Sequence, residues 1–288
     1  MKKINFLYVV VFAFILTSTF YSCTKDEVPP TVSLLSGSGF QTSDASLPFE
    51  SDFKVQVKGV KGDVNMKTLT IYENGTKLPL ERIVDGLNAN PALLTGADAE
   101  SFTKAITLKA QKSGISDYLF VVEDENALKD TVDIRITGFT PFNINVTDLK
   151  LWNFHGPNFG SIDLQKGVAL SSDDTNGDAQ DVGIVNVLTD QTWKKKIKTK
   201  NGTLMATPAA NLNFDDVTDL DKLIAAFNAG TQVQEAGVTV NSVFLFKTPK
   251  SITGKTSDDY FIMKTKELKE TTGDNLDYYI FHLKGKAY

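Results

Sequence analysis

The sequence predicts an all-β protein of two successive β-sandwich domains, the second carrying one short helix. Three observations lead there. Apolar and polar residues alternate with a period of two over many short runs, turn residues punctuate those runs, and only one stretch, near residue 220, has the apolar period of a helix. A chain of 288 residues with 41% hydrophobic and 23% charged residues can bury two cores of this kind.

Met1-Lys2-Lys3 is a basic start, followed by an apolar run from Phe6 to Leu16. A bilayer span needs about 20 apolar residues, so this run suits a cleaved signal segment. Ser22 stands directly before Cys23, the only cysteine of the chain. This arrangement resembles the lipobox of bacterial lipoproteins. The resemblance implies cleavage before Cys23, with residues 1–22 as signal peptide, 23–30 as a lipidated linker and acyl chains on Cys23. Outer-membrane lipid is then the first expected partner, held at about 0.8 kcal/mol per buried CH₂. Thr24-Lys25-Asp26-Glu27 resembles the acidic export signal of Bacteroidetes lipoproteins, which implies an outer-membrane location facing the cell exterior. Val28-Pro29-Pro30 stiffens the linker.

The first domain is expected over residues 31–139. Phe53, Val55 and Val57 alternate with Lys54, Gln56 and Lys58; Leu69 and Ile71 lead into an Asn74-Gly75 hairpin turn, with Leu78 and Leu80 on the return strand. Ile106 and Leu108, then Tyr118, Phe120 and Val122, then Val132, Ile134 and Ile136 repeat the pattern, and Gly86 to Glu100 reads as one long loop. About seven strands at this spacing is the arithmetic of an immunoglobulin-like sandwich. With no Cys…Trp…Cys pattern, the resemblance is to the bacterial Ig-like domains that follow lipoprotein anchors, which implies a spacer. Glu123-Asp124-Glu125 reads as a solvated turn, and Asp130-Thr131-Val132 matches a short Bacteroidetes O-glycosylation sequon.

The second domain is expected over residues 140–288, after the break at Thr140-Pro141. Strands are expected at Leu149–Phe154, Phe159–Leu164, Asp181–Leu188, Ser242–Thr248, Tyr260–Glu267 and Leu276–Lys284. Thr218 caps the helix, with Asp221 at the third position; Leu220, Leu223, Ile224 and Phe227 form its apolar stripe, and Gly230 ends it. The run Phe159-Gly160-Ser161-Ile162-Asp163-Leu164, Gly167-Val168 and Asp181-Val182-Gly183-Ile184-Val185 resembles the C-terminal domain of a family of Bacteroidetes surface lipoproteins with no settled ligand. A fainter likeness is to HmuY-like haem-binding lipoproteins, in which paired histidines grip the iron. Here His155 and His282 are the only histidines and lie outside the family's ligand segments, so no haem or other cofactor is expected.

The formal net charge is −5. Lys2 and Lys3 precede Cys23 and no acid does, so cleavage there leaves 28 basic against 35 acidic residues, net −7. An acidic surface repels phosphate backbones and argues against nucleic acid. One cysteine and two histidines exclude a disulfide framework and a Cys/His zinc site. No Gly-x-Ser-x-Gly, P-loop, His-Glu-x-x-His or Rossmann run occurs, so no catalytic residue is assigned. For calcium, Asp174, Asn176 and Asp178 have EF-type spacing, but Ala179 and Val185 stand where glycine and glutamate belong; the plainer reading is an Asx-rich turn.

Trp152 and Trp193 are the only tryptophans, and each is a candidate face for stacking a sugar. The loop Phe154-His155-Gly156-Pro157-Asn158-Phe159 brings His155 beside Trp152. Lys194-Lys195-Lys196, with Lys198 and Lys200, reads as a lysine-guarded edge strand. Tyr278, Ile280 and His282 share one strand face and Tyr279, Phe281 and Leu283 the other, the pattern of a strand buried on both sides. The expected function is a non-enzymatic surface lipoprotein that binds a glycan or envelope component beside a SusC/SusD-type uptake system. SusE-like starch-binding lipoproteins also begin with an Ig-like spacer. The alternative is a structural or adhesin-accessory subunit docking onto another outer-membrane protein.

Overall fold

The computed structural model describes residues 27–110, 113–271 and 275–288. Cys23 and the expected signal segment, residues 1–22, lie outside the described residues. Among these, no helix is long and apolar enough to cross a membrane.

The first half carries β1 (Thr31–Leu34), β2 (Ala45–Pro48), β3 (Asp52–Val60), β4 (Met66–Glu73), β5 (Thr76–Lys77), β6 (Ile83–Asp85), β7 (Ala92–Leu93), the one-turn helix α1 (Ala97–Glu100), β8 (Ser101–Lys109), β9 (Gly114–Asp124) and β10 (Lys129–Phe139). One sheet has the order β1-β3-β8-β6 and the other β2-β10-β9-β4-β5, with β7 also on β4. These are the A-B-E-D and G-F-C orders of an immunoglobulin-like sandwich, with β2 joining β10 in parallel. Inward positions alternate along the strands: Val55, Val57, Leu69, Ile71, Ile106, Leu108, Phe120 and Val122 are all fully buried.

Three expected features differ. The return strand after Asn74-Gly75 ends at Lys77, because Pro79 has no N–H to donate and opens a 3-10 turn, Leu80–Arg82, that leaves Leu80 exposed. The segment from Gly86 to Glu100 is not one open loop. It contains β7 and α1, and the Asn90 amide acts as a strand would, donating to the carbonyls of Ile71 and Leu78 and accepting from the Ile71 N–H. The Glu123-Asp124-Glu125 run is not a solvated turn: Glu123 and Asp124 end β9, and the fully buried Asp124 carboxylate closes the following turn by accepting from the N–H groups of Asn126 and Leu128.

Arg82 sits buried against Glu73 in a two-pronged ion pair of 2.7 and 3.0 Å, and its Nη2 also donates to the Tyr118 hydroxyl and the Lys109 carbonyl. Removing one partner of a buried pair strands the other charge. Arg82→Ala is therefore expected to cost about 3–5 kcal/mol in urea unfolding, and the double change Arg82→Met with Glu73→Leu to regain most of it.

The second half carries β11 (Ile144–Trp152), β12 (Ser161–Asp163), β13 (Val168–Leu170), β14 (Ala179–Asp181), β15 (Ile184–Asn186), β16 (Asp190–Trp193), β17 (Lys196–Thr199), β18 (Leu204–Thr207), α2 (Leu220–Ala229), β19 (Thr231–Val233), β20 (Glu235–Gly237), β21 (Val243–Thr248), the one-turn helix α3 (Lys250–Thr253), β22 (Asp259–Lys269) and β23 (Tyr278–Lys286). A six-stranded sheet, β11-β23-β22-β21-β18-β19, and a five-stranded sheet, β13-β12-β14-β17-β20, enclose a core that includes Leu151, Ile162, Ile197, Phe246, Phe261 and Phe281. On the other face of the six-stranded sheet, Leu220, Leu223 and Phe227 of α2 pack with Leu245, Tyr260 and Ile262.

Three local expectations are corrected. The helix cap is Asp219, not Thr218: the Asp219 carboxylate accepts from the Lys222 N–H, where it also meets the positive end of the helix. The run Asp181–Leu188 is two strands, because Gly183 turns the chain at φ +83° between them. The lysine run is not an edge: β17 is hydrogen-bonded on both sides, to β14 and β20.

The chain divides into two compact units. The second takes in Ala45–Ser51, Ala110–Ser116 and Ile136–Tyr288, so the division runs inside β10. Those segments are knit to one another by Phe49 N–H to Phe139 O, Glu50 N–H to Ala110 O and Ala110 N–H to Ser51 O.

Candidate functional site

Strands β11 and β23 are neighbours, with Trp152 directly opposite Tyr278 and Lys150 opposite Ile280. Their intervening residues Leu151, Tyr279 and Phe281 point into the core, so Lys150, Trp152 and Tyr278 share the outer face. Here the rings are partly exposed. Their centroids lie 5.0 Å apart, inclined by 59°. The Lys150 ammonium stands 3.9 Å from the Trp152 ring and 3.6 Å from the Tyr278 ring, and Lys269 Nζ is 5.8 Å from the latter.

This platform is braced from behind. Asn153, the residue after Trp152, and Asp277, the residue before Tyr278, are both buried and joined: Asn153 Nδ2 donates to Asp277 Oδ2 at 3.0 Å and Asn153 N–H to Asp277 O at 2.8 Å. Asp277 Oδ1 accepts from the Thr271 N–H. The Trp152 N–H closes the loop by donating to Phe159 O at 2.9 Å. Bulges occur at Val146/Leu149 and Thr265/Glu267, and Asp148 of the first pairs with Lys266 beside the second. Lys266 holds the Asp148 carboxyl below its usual range.

Trp193 has the opposite setting. It is 3% exposed, its indole N–H donates to Asp181 Oδ2 at 2.9 Å, and its ring lies 4.4 Å from that of Tyr279. Trp193 is therefore a core residue and offers no face to a sugar, correcting the sequence expectation. Asp181 is wholly buried and accepts four hydrogen bonds, from the N–H groups of Phe154 and Gly183 on Oδ1 and from Trp193 and the Tyr279 hydroxyl on Oδ2. Burial pushes its carboxyl up from the ordinary aspartate range, against the pull of those donors.

His155 is exposed at the head of the loop, and its Nδ1 accepts from the Ile184 N–H at 3.3 Å. A Cβ at Gly183 would fall 2.2 Å from this ring, so only glycine lets the histidine lie there. The ring is thus committed to closing the loop rather than to a ligand. The calcium candidates separate: Asp174 closes an Asx turn on Asn176, while the buried Asp178 carboxylate accepts from the Leu164 N–H and the Thr203 hydroxyl. Among the described residues no three His, Cys, Asp or Glu side chains are grouped to hold a metal. The lysine run disperses, Lys195 to Glu270, Lys196 to Glu235 and Lys200 to the Asp174 carbonyl.

Two cavities open elsewhere in this half. One of about 720 Å³ is lined by Lys198, Lys200, Asn201, Gln232 and Glu235, and one of about 560 Å³ by Asp163, Lys166, Asp178 and Lys255. In the second, Asp163 is tied to Lys166, and Asp178 accepts from the Leu164 N–H and the Thr203 hydroxyl. Tyr278 is the platform residue that the sequence did not single out as a ligand contact; its signal was its place on the strand face opposite the apolar Tyr279, Phe281 and Leu283.

No family model matches the chain, and no curated protein does. Among solved structures, it is similar to the fibronectin(III)-like modules of Clostridium thermocellum CbhA, at 11% identity over 38% of this chain and 98% of that one, with a TM-score of 0.25. It is also similar to the N-terminal Ig1-2 module of the Drosophila receptor protein tyrosine phosphatase DLAR, at 6% identity over 88% of this chain and 96% of that one, with a TM-score of 0.27. Neither overlay bears on function, and the immunoglobulin-like assignment rests on the strand order.

The two tryptophans should part in solution. Trp193→Ala is expected to cost about 3–5 kcal/mol of stability, whereas Trp152→Ala leaves the melting temperature within a few degrees. Acrylamide should quench the fluorescence of a Trp193→Phe variant far better than that of Trp152→Phe, which retains only the buried indole.

Proposed function

We propose that this chain is a lipid-anchored, non-enzymatic protein of the outer membrane, facing the cell exterior, that binds a glycan on the Trp152–Tyr278 platform. One observation carries the binding part: two aromatic rings lie side by side and partly exposed on a hydrogen-bonded sheet, with buried Asn153 and Asp277 fixing the strand ends. Sugar C–H groups stack on such faces, and a platform braced in advance loses little freedom on binding. The anchoring part is supported by the apolar run Phe6–Leu16 with Ser22-Cys23 a few residues beyond it, and the surface location by Thr24-Lys25-Asp26-Glu27. An uptake system of the SusC/SusD type is the partner assembly proposed for it.

A second reading, docking onto another outer-membrane protein, is favoured by the β15–β16 hairpin. Its tip exposes Val185, Val187 and Leu188, the last at 93%. Serine at Val187 and Leu188 should then abolish co-purification with one specific membrane partner while glycan binding persists.

Stacking contributes roughly 0.5–1.5 kcal/mol beyond area burial, so Trp152→Ala or Tyr278→Ala should weaken glycan binding about tenfold on an array, with the melting temperature retained. Cys23→Ser should release the protein from carbonate-washed membranes; retention there would exclude the acyl anchor.

A further inference from the structure

The Lys150 ammonium occupies the space above both rings of the platform, at 3.9 and 3.6 Å. A sugar cannot stack on those faces until the ammonium leaves. For a neutral sugar the exchange is poor, since a cation–π contact is lost and the ammonium gains only water. A ligand that brings its own anion changes the balance. The displaced ammonium then forms a charge-assisted hydrogen bond to it, while the sugar face takes the vacated rings. Among the described residues Lys150 forms no ion pair, and neither does Lys269, 5.8 Å from the same Tyr278 ring. Their neighbours differ: Lys266 is held by Asp148 and Lys195 by Glu270. The acid nearest in sequence to Tyr278, Asp277, is buried and spent on Asn153 and Thr271.

We propose that the platform selects acidic glycans, those carrying a carboxylate or sulfate group, with Lys150 moving from the ring faces onto that group as the sugar takes its place and Lys269 as the second cation. This rests on the Trp152–Tyr278 platform being the glycan site. The protein as a whole is acidic, so the preference is local: short acidic oligosaccharides fit it better than long polyanions, which also meet the surrounding negative charge.

The test uses the full chain in detergent, titrated with oligogalacturonate, a chondroitin sulfate oligosaccharide and a neutral galacto-oligosaccharide of matched length, in wild type, Lys150→Met and Trp152→Ala. The wild type should bind at least one acidic ligand about tenfold or more tighter than the neutral one. Chondroitin sulfate carries a uronate as well as a sulfate, so tight binding of oligogalacturonate shows that a carboxylate suffices, and tight binding of chondroitin sulfate without it points to the sulfate. Lys150→Met should erase that preference by weakening the acidic ligand and leaving the neutral one equal or tighter, its ring faces being cleared. In the free protein the Lys150 ε-methylene protons should be shifted upfield by the rings, and lose that shift when the acidic ligand binds. Equal or tighter binding of the neutral ligand by wild type, still weakened by Trp152→Ala, overturns the acidic preference and leaves the platform standing. Glycan binding that Trp152→Ala does not change overturns the platform and this inference with it.

Discussion

The buried carboxylate of Asp181 is the constraint on which the second half of the molecule is arranged. A carboxylate out of water with no cation beside it is unfavourable unless its lone pairs are filled. Here four donors from separate parts of the chain fill them: the Phe154 amide from the loop after β11, the Gly183 amide from the turn into the β15–β16 hairpin, the Trp193 indole from the end of that hairpin, and the Tyr279 hydroxyl from β23. Each donor fixes one segment, so the loop, the hairpin and the six-stranded sheet are located by one side chain. Because the donors arrive in pairs on each oxygen, no neutral amide can replace it without turning an N–H toward two other donors.

The platform inherits its rigidity from this arrangement. Asp181 pins Phe154, Asn153 pins Asp277, and between those fixed points the backbone of Trp152 and Tyr278 has no freedom to splay. Helix α2 covers the same sheet face over Leu245, Tyr260 and Ile262, farther from the β11 edge. Trp152 lies on β11, one of the two edge strands of that sheet. The two tryptophans thus divide the work of one aromatic residue type. Trp193 uses its N–H to satisfy a buried acid, and Trp152 keeps its ring toward solvent under a lysine.

How far this was legible in the sequence depends on the range of the interaction involved. Period-two runs such as Phe53–Lys58 and the apolar stripe of α2 are local signals, and they located the strands and the helix well. The helix cap slipped by one residue because Thr218 and Asp219 are both good caps and only tertiary geometry chooses between them. The lysine run Lys194–Lys200 has a polar–apolar alternation that an edge strand and an interior strand with a solvated face share, so its two neighbours β14 and β20 were not visible. The same limit governs the site. Trp152 and Trp193 both stand among lysines, threonine and asparagine, and what separates them is Asp181, twelve residues from Trp193 but 98 from Tyr279, the other ring on that oxygen. Pairing Trp152 with Tyr278 needs the register of β11 on β23, which no composition or spacing contains.

Net charge is a poor guide to what such a surface attracts. At physiological ionic strength charges act over about 8 Å, so the excess of acids over bases matters less at the platform than which lysines nearby are already paired. Lys195, Lys196 and Lys266 each face a carboxylate, and their fields are largely cancelled at short range. Lys150 faces two π systems instead, whose attraction is weaker than a carboxylate's and is strongest where the cation is least hydrated. An ammonium held this way is both partly desolvated and not neutralised. It therefore has more to gain from an incoming anion than a lysine already paired, such as Lys266 of the same sheet.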